Sequence, residues 1–504
     1  MYHGARNHTL PEARSFWGVS YHVWCGVALD SDQINAILNS RDNGLNPMTK
    51  YLFTTQASND LGLLTRTLPV ARELAQRGHQ IAFCNSAAAP RRLIAEGGFE
   101  NLPQKHPVHY LYYLQAQGAL NSHGFKQLRH EFGGLFGFAR QLWRAIPTRF
   151  AMPTVQMWNV DHLMAIVGMR SVGAVHAECA SLLTLMRDYG ADVVVDSWNP
   201  FACVAARAAR KPLVTILQAD MHPCSRGFIW WQDPPPGLPT VAPAFSKIMA
   251  EYGLPPIRKV EELFVGDLTL VVGMPETDPL PASANVIYVG AILWQSARAQ
   301  MPDWFDNLSH DRPVVWIYSG NPRYMFVPSP LDGTSILRAC VKALRDENVQ
   351  VVLTTGHHAL PKKLQPLPPN FHYAAYVPGL AMAQRSDLLI HHGGYGSCQT
   401  GLYTGTPAVI IPTFSERESN ARRVAAVGAG EFLLPGGSPW GPLTGKWGVH
   451  AEDLRAKVRL VLGDPVYADK ARCLSEKLRA YGGAAEAARL IESRFCGQGE
   501  IAMI

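Results

Sequence analysis

Short apolar runs alternate with amphipathic stretches along most of this chain, and the alternation predicts parallel β-sheets flanked by helices. Residues 51–55 form an apolar run, and a polar, glycine-containing turn follows it. Residues 68–76 have the spacing of a helix closed by Gly78, and residues 81–84 read as the next strand. This strand–helix–strand order is the repeating unit of a parallel sheet. Residues 1–47 precede the first unit, so we expect them to be an N-terminal extension.

The alternation pauses once and then resumes, which predicts two domains with a cleft between them. A chain of 504 residues also exceeds what one hydrophobic core usually organises. We expect a first α/β domain at 48–295, a polar linker at 296–311 and a second α/β domain at 312–483. Further strands are predicted at 192–196, 213–217, 313–318, 351–354, 388–391 and 408–411.

Composition narrows the class of protein. Apolar residues make up 47% and charged residues 17%, which fits a globular chain with large cores. The net charge of +6 is scattered, without the basic stripe of a nucleic-acid-binding protein. No apolar run reaches the roughly 18 to 20 residues that a transmembrane helix needs. The 9 cysteines include no C-x-x-C pair, which predicts neither a disulfide framework nor a metal site and favours the cytoplasm.

The candidate ligand-binding residues are most concentrated in a glycine-rich turn at 392–396, directly after the strand predicted at 388–391. Ligands of open parallel sheets bind outside the carboxyl ends of the strands. A helix is expected to begin near Ser397, and its first turn would offer free backbone N–H groups to an anion. A diphosphate could therefore bind here without a lysine.

A second polar cluster follows the strand predicted at 408–411. Ser415 and Glu418 have the spacing of a capping box, which would start another helix there. That start would place Glu416, Arg417 and Asn420 at the mouth of the cleft, where they could hydrogen-bond sugar hydroxyls.

Four elements in this order give a specific resemblance. They are His-Gly-Gly-x-Gly-Ser at 392–397, Gly-x-Pro at 405–407, Pro-x-x-x-Glu-x-x-x-Asn-Ala at 412–421 and Gly-x-Gly at 428–430. Together they resemble the donor-binding signature of the UDP-glycosyltransferase family. The resemblance implies the GT-B fold, two facing Rossmann-like domains with a cleft, and an inverting, metal-independent transfer. It implies no cofactor, because the nucleotide sugar is a substrate, and a terminal helix at 484–504 that crosses back to the first domain.

The resemblance also implies roles for particular residues. The ring of Tyr376 would stack on the nucleotide base, and the backbone of Val377 would read the base edge. The Ser319-Gly320 loop would close over the phosphates, and Glu416 and Arg417 would contact the sugar. The diphosphate would be held by His392, Gly393, Gly394, Gly396 and Ser397. Two departures leave the donor open: Thr400 stands where plant members have a ribose-binding Glu, and Arg417 stands where Gln is usual.

The catalytic base is the point at which the sequence leaves the family pattern. In the family, the base is a His in the loop after the first strand, oriented by an Asp at the end of a later strand. Leu63 occupies the His position, whereas Asp196 matches the Asp, and Asp60 lies three residues before Leu63. Three hypotheses remain: Asp60 is the base, Asp196 is the base or an orienting residue, or the acceptor is acidic enough, as a carboxylate or phenol is, to need little help.

The sequence therefore predicts a hexosyltransferase that uses a UDP- or dTDP-sugar. Its acceptor would be a hydroxyl of a small lipophilic molecule, such as a natural product, a lipid or a phenolic. Because Leu63 replaces the usual base, the alternative is a catalytically impaired sugar-nucleotide-binding or auxiliary protein of the same fold.

Overall fold

The computed structural model describes residues 48–56, 61–104, 157–166, 169–296, 299–319, 333–356, 358–435 and 448–495. The expected extension at 1–47 lies outside this described part of the chain, as do the candidate residues Asp60 and Gly320.

The first domain is built on a parallel sheet that has seven strands within the described ranges. Their order is β3-β2-β1-β4-β5-β6-β7. The chain leaves β1 toward β2 and later returns to its other side with β4, which makes the carboxyl ends of β1 and β4 a switch point where ligands commonly bind. The strands are β1 (Lys50–Thr55), β2 (Gln80–Cys84), β3 (Glu100–Asn101), β4 (Val193–Ser197), β5 (Leu213–Leu217), β6 (Leu268–Val272) and β7 (Ile287–Gly290).

Helices cover this sheet, and local chemistry sets several of their ends. The helices are α1 (Leu64–Gln76), α2 (Ala88–Glu96), α3 (Val160–Ile166), α4 (Val172–Tyr189), α5 (Pro200–Ala208) and α6 (Ala242–Glu251). Gly190 ends α4 in the left-handed conformation, with φ of 70°. Helix α1 begins at Leu64 rather than near residue 68, because the Thr65 amide already donates to the Leu61 carbonyl at 2.9 Å. The expected start was therefore wrong by one helical turn.

The second domain repeats the design with six parallel strands in the described ranges, in the order β10-β9-β8-β11-β12-β13. Its switch point lies between β8 and β11. The strands are β8 (Val314–Tyr318), β9 (Gln350–Thr354), β10 (Phe371–Ala374), β11 (Leu388–His391), β12 (Ala408–Ile410) and β13 (Gly430–Phe432). The helices are α7 (Gly333–Leu344), α8 (Gly379–Arg385), α9 (Tyr395–Thr404), α10 (Ser415–Ala426), α11 (Ala451–Gly463), α12 (Pro465–Ala480) and α13 (Gly483–Phe495). The predicted α/β architecture of two parallel-sheet domains is confirmed.

The last helix, α13, packs on the first domain rather than on the second. Its buried residues Ala487, Ala488 and Ile491 belong to the same apolar cluster as Tyr51 and Phe53 of β1. Glu492 of this helix accepts a hydrogen bond at 2.9 Å from Arg77, at the end of α1. The end of the chain thus ties the two domains together.

Candidate active site

The turn between β11 and α9 requires glycine at two successive positions. Gly393 has a φ of +85°, and a Cβ there would lie 2.7 Å from the carbonyl oxygen of Arg417. A Cβ on Gly394 would lie 2.7 Å from Nε2 of His392. Glycine therefore allows the turn to pass between α10 and the His392 ring.

Helix α9 begins at Tyr395, two residues before the expected start at Ser397. The Ser397 amide donates to the Gly394 carbonyl at 2.9 Å, and the contact of Ser397 with a diphosphate stays a prediction. The amides of Tyr395 and of the exposed Gly396 belong to the first turn, whose N–H groups have no intrahelical acceptor. They place N–H donors without intrahelical acceptors at the switch point, which is the kind of position that anions favour.

His392 lies beside this helix end, and one of its ring nitrogens makes no hydrogen bond to the described residues. Burial, then Arg417 and His391, hold its pKa well below the usual range, so the ring is neutral at pH 7. Its Nδ1 atom is buried and has no hydrogen-bond partner among the described residues. A buried polar atom without a partner is uncommon and is often satisfied by a ligand.

His391 differs from its neighbour. Its Nδ1 atom accepts from the Gly393 amide at 3.1 Å, and burial lowers its pKa to about 3. Its Nε2 atom also has no partner in the described residues, but the side chain is only 3% exposed, whereas His392 is half-buried. His391 therefore shapes the turn, and His392 is the histidine that a ligand can reach.

The expected capping box at the start of α10 is wrong. The N-cap is Phe414, which makes no side-chain capping bond. Ser415 instead accepts at 2.8 Å from the Met157 amide of the first domain, and Glu418 pairs with Arg422 at 2.7 Å. The serine contacts the other domain and the glutamate pairs along its own helix, so neither is available to cap.

The three residues expected at the mouth of the cleft do come together near the turn. Asn420 donates to the Gly393 carbonyl at 2.9 Å and to Oε1 of Glu416 at 2.8 Å. Arg417 donates to Thr413 at 2.6 Å, and its guanidinium lies 4.4 Å from the centre of the Phe414 ring. Asn420 is only 4% exposed, so it holds the turn against α10, and Glu416 is the half-buried carboxylate beside it.

The residues expected to bind the base and close over the phosphates also lie at strand ends of this sheet. Tyr376 follows β10 and is half-buried, and burial raises the pKa of its hydroxyl. The Val377 side chain packs in the core at 3% exposure, which leaves its backbone as the part available for recognition. Ser319 directly follows β8 and is buried. Their roles toward a nucleotide stay predictions.

The base position of the first domain is apolar. Leu63 is 7% exposed and belongs to the cluster that contains Leu52 and Val194. Burial raises the pKa of Asp196 to about 7. This carboxylate is nevertheless fully occupied, because it accepts from Thr54 at 2.6 Å, from the Asn199 amide at 2.9 Å and from Cys203 at 3.4 Å.

Sequence reasoning missed a polar contact between the domains at this position. Arg66, in the first turn of α1 and 7% exposed, donates to Oε1 of Gln218 at 3.1 Å. Its guanidinium lies 4.6 Å from the centre of the Tyr395 ring at the start of α9. Gln218 follows β5 and donates to Glu416 at 3.4 Å. The sequence shows an Arg three residues after Leu63, but nothing local indicates that this residue is buried or what it contacts.

A second contact between the domains lies beside the first. Arg423 of α10 pairs with Asp220, donates to the Thr277 carbonyl at 3.2 Å and lies 3.9 Å from Asp278. Ser419 donates to Asp220 at 2.9 Å, and the Tyr395 hydroxyl donates to Asp278 at 3.0 Å.

No group of three or more metal-binding side chains occurs within the described ranges. Among the same residues, no helix is both long enough and apolar enough to span a membrane.

Comparison with known proteins agrees with this geometry. The family model described as "Erythromycin biosynthesis protein CIII-like, C-terminal domain" matches residues 338–493. The chain is 29% identical over 239 residues to the "Uncharacterized UDP-glucosyltransferase YojK" of Bacillus subtilis (strain 168), covering 46% of this chain and 53% of that protein. It is 31% identical over 191 residues to the 4'-demethylrebeccamycin synthase of Lentzea aerocolonigenes, and this match covers 38% of this chain and 40% of that protein. The chain thus spans about half the length of the curated relatives it matches, or less.

Solved structures resemble the chain over most of its length. The glycosyltransferase SnogD from Streptomyces nogalater has a TM-score of 0.57 at 19% identity, over 89% of this chain and 99% of that one. The glycosyltransferase VinC in complex with DTDP has a TM-score of 0.59 at 18% identity, and the match covers 90% of this chain and 100% of that one. These likenesses show the GT-B fold. The family match and the curated relatives add that the second domain resembles the matching part of known glycosyltransferases.

Proposed function

We propose that this protein is a glycosyltransferase that moves a hexose from a UDP- or dTDP-sugar to an acceptor oxygen of a small lipophilic molecule, with inversion. The buried Nδ1 atom of His392, beside the amino end of α9, carries the proposal. A diphosphate bound there would accept from that nitrogen and from the first-turn amides. It would also stabilise the protonated ring, so donor affinity should increase as the pH falls.

The remaining donor contacts follow from the positions around the turn. Tyr376 would stack on the base, and Glu416 with Arg417 would bind sugar hydroxyls. Asn420 would act indirectly, because its amide already holds Gly393 and Glu416. The amino end of α9 would neutralise the leaving diphosphate without a metal ion. Buried free thiols fit a reducing cytoplasm: Cys84, Cys179, Cys203, Cys340 and Cys398.

Substitution of His392 tests the donor site. His392→Ala should weaken binding of the nucleotide sugar at least tenfold, about 1.4 kcal/mol, because a donor to the diphosphate is lost. Calorimetry with a panel of UDP- and dTDP-sugars measures this affinity. His450→Ala is the matched control, since His450 is exposed at the start of α11. Unchanged affinity in a variant that melts as the parent does would refute the assignment.

A second candidate function is a nucleotide-sugar-binding protein without transferase activity, favoured by the buried Leu63 at the base position. Product analysis separates the two functions. Transfer to any acceptor supports the enzyme, and NMR of the product's anomeric proton tests inversion. Donor binding with neither transfer nor hydrolysis supports the binding protein.

A further inference from the structure

The turn between β4 and α5 holds a tryptophan in a backbone conformation that bulky side chains rarely adopt. Trp198 has a φ of +67°, in the left-handed region. This region is unfavourable for bulky residues, whereas glycine and asparagine adopt it at lower cost. Asn199 caps α5 through its side chain, and its amide donates to Asp196 at 2.9 Å. The turn thus holds a residue that its backbone geometry alone would not favour.

The indole of Trp198 has a buried polar atom that makes no hydrogen bond to the described part of the chain. This atom is Nε1. An indole N–H can only donate, so a bound group that satisfies it must accept a hydrogen bond. The preceding residue, Ser197, is 1% exposed, and its Oγ atom likewise has no partner among the described residues. Backbone strain and buried polar groups without partners are both uncommon, and both are typical of ligand sites.

The turn lies at the switch point of the first sheet, where ligands of parallel sheets bind. Ser197 ends β4 and pairs with Thr55, the last residue of β1. The half-buried indole of Trp198 packs against the apolar cluster that contains Leu63, and Phe414 of the second domain packs against the same cluster. A molecule bound here would therefore meet apolar surface together with one N–H donor.

A ketone oxygen suits this donor better than a hydroxyl or a carboxylate does. A hydroxyl would bring a proton that needs an acceptor of its own beside an apolar cluster. A carboxylate would bring a negative charge to a turn whose first residue is Asp196, two residues before Trp198. A ketone accepts a hydrogen bond and brings neither.

We propose that the acceptor in the transfer is a planar, apolar molecule with a ring ketone, and that Trp198 binds it. The indole stacks on the ring system and donates its N–H to the ketone oxygen. This inference rests on the proposed transferase function. It assigns recognition of the acceptor and no step of the chemistry, because the hydroxyl that receives the sugar is a different group of the same molecule.

Two matched phenols test the proposal with the full-length protein. They are 2-hydroxyfluorenone and 2-hydroxyfluorene, which share a planar ring system and differ in a ketone against a methylene. Both keep the phenolic proton at pH 7. Calorimetry in the absence of a donor measures both affinities, so the result does not depend on transfer. We expect the ketone to bind at least tenfold more tightly, and equal affinities would overturn the proposal.

A variant of Trp198 shows whether the indole is the source of this preference. Trp198→Phe keeps an aromatic ring and removes the N–H, so the preference for the ketone should fall to within twofold. Affinity for the nucleotide sugar should also stay within twofold of the parent. Trp294→Phe is the matched control, because Trp294 is another half-buried tryptophan of the first domain, with its ring 4.6 Å from the guanidinium of Arg72. It should keep the full preference.

A structural tryptophan would give a different result. Trp198→Phe would then weaken binding of both phenols equally and leave the preference intact, which would overturn the inference. NMR of the indole N–H groups tests the parent protein without any variant. One signal should move downfield with 2-hydroxyfluorenone and not with 2-hydroxyfluorene, and the absence of such a shift would also overturn the inference.

Transfer assays separate this inference from the proposed function. Preference for the ketone without transfer to either phenol from any nucleotide sugar would support the Trp198 site and count against the transferase. Transfer to both phenols with equal affinities would leave the transferase standing and refute the role of Trp198.

Discussion

Two arginines make contacts between the domains, and their surroundings differ. Arg423 reaches from the second domain to two carboxylates, Asp220 and Asp278. Arg66 reaches from the first domain to a neutral amide, Gln218, and to the ring of Tyr395. Tyr395 connects the two sites, because its ring faces Arg66 while its hydroxyl donates to Asp278.

The difference lies in the groups that each arginine faces. Arg423 compensates the negative charge of two aspartates, and this cluster holds α10 against the first domain. Arg66 donates to an amide and interacts electrostatically with Glu416. The comparison therefore predicts that loss of Arg423 destabilises the protein, because two carboxylates would lose their cation.

We expect the largest effect on stability when the charge of Arg423 is removed from its cluster with Asp220 and Asp278. Arg423→Gln should reduce the free energy of unfolding by about 3–5 kcal/mol, because it leaves two buried carboxylates without their cation. Urea denaturation at pH 8 measures the loss. The control is Arg489→Gln, which breaks an exposed pair with Glu486 and should cost less than about 1 kcal/mol. Equal losses in the two variants would contradict the structural role.

The same variant should respond to pH in a defined direction. Burial raises the pKa of Asp278 to about 6 and Arg423 opposes this rise, so removing the arginine raises the pKa further. A carboxyl whose pKa is higher in the folded state binds protons more tightly there, and stability increases as the pH falls. The loss in Arg423→Gln should therefore be largest at pH 8 and shrink as the pH falls toward 6. A loss that is constant from pH 8 to 5 would show that these carboxylates are not the cause.

The second domain could be predicted from sequence in more detail than the first. The turn at Gly393 and Gly394 depends on nearby parts of the chain, and its φ and close approaches demand glycine there. The strands at 213–217 and 388–391 have the expected bounds, because each is a buried run ended by a turn.

The errors arose where the partner of a side chain lies far along the chain. Ser415 has the spacing of a capping residue, but its hydroxyl contacts Met157 of the first domain. Arg66 gave no local signal of its role, because Gln218 and Tyr395 approach it only after both sheets form. Local patterns specify turns and strands, whereas contacts between domains require the fold.

The smallest expected effect separates the two arginines at their shared neighbour. Tyr395→Phe removes the hydroxyl that bonds Asp278 and keeps the ring that faces Arg66. It should cost about 1–2 kcal/mol of unfolding free energy, because the hydroxyl contacts both Asp278 and the Val272 carbonyl, and it should leave the affinity for the nucleotide sugar within twofold. Urea denaturation and calorimetry on one preparation measure both. A tenfold loss of that affinity would mean that the hydroxyl positions the start of α9 for the donor.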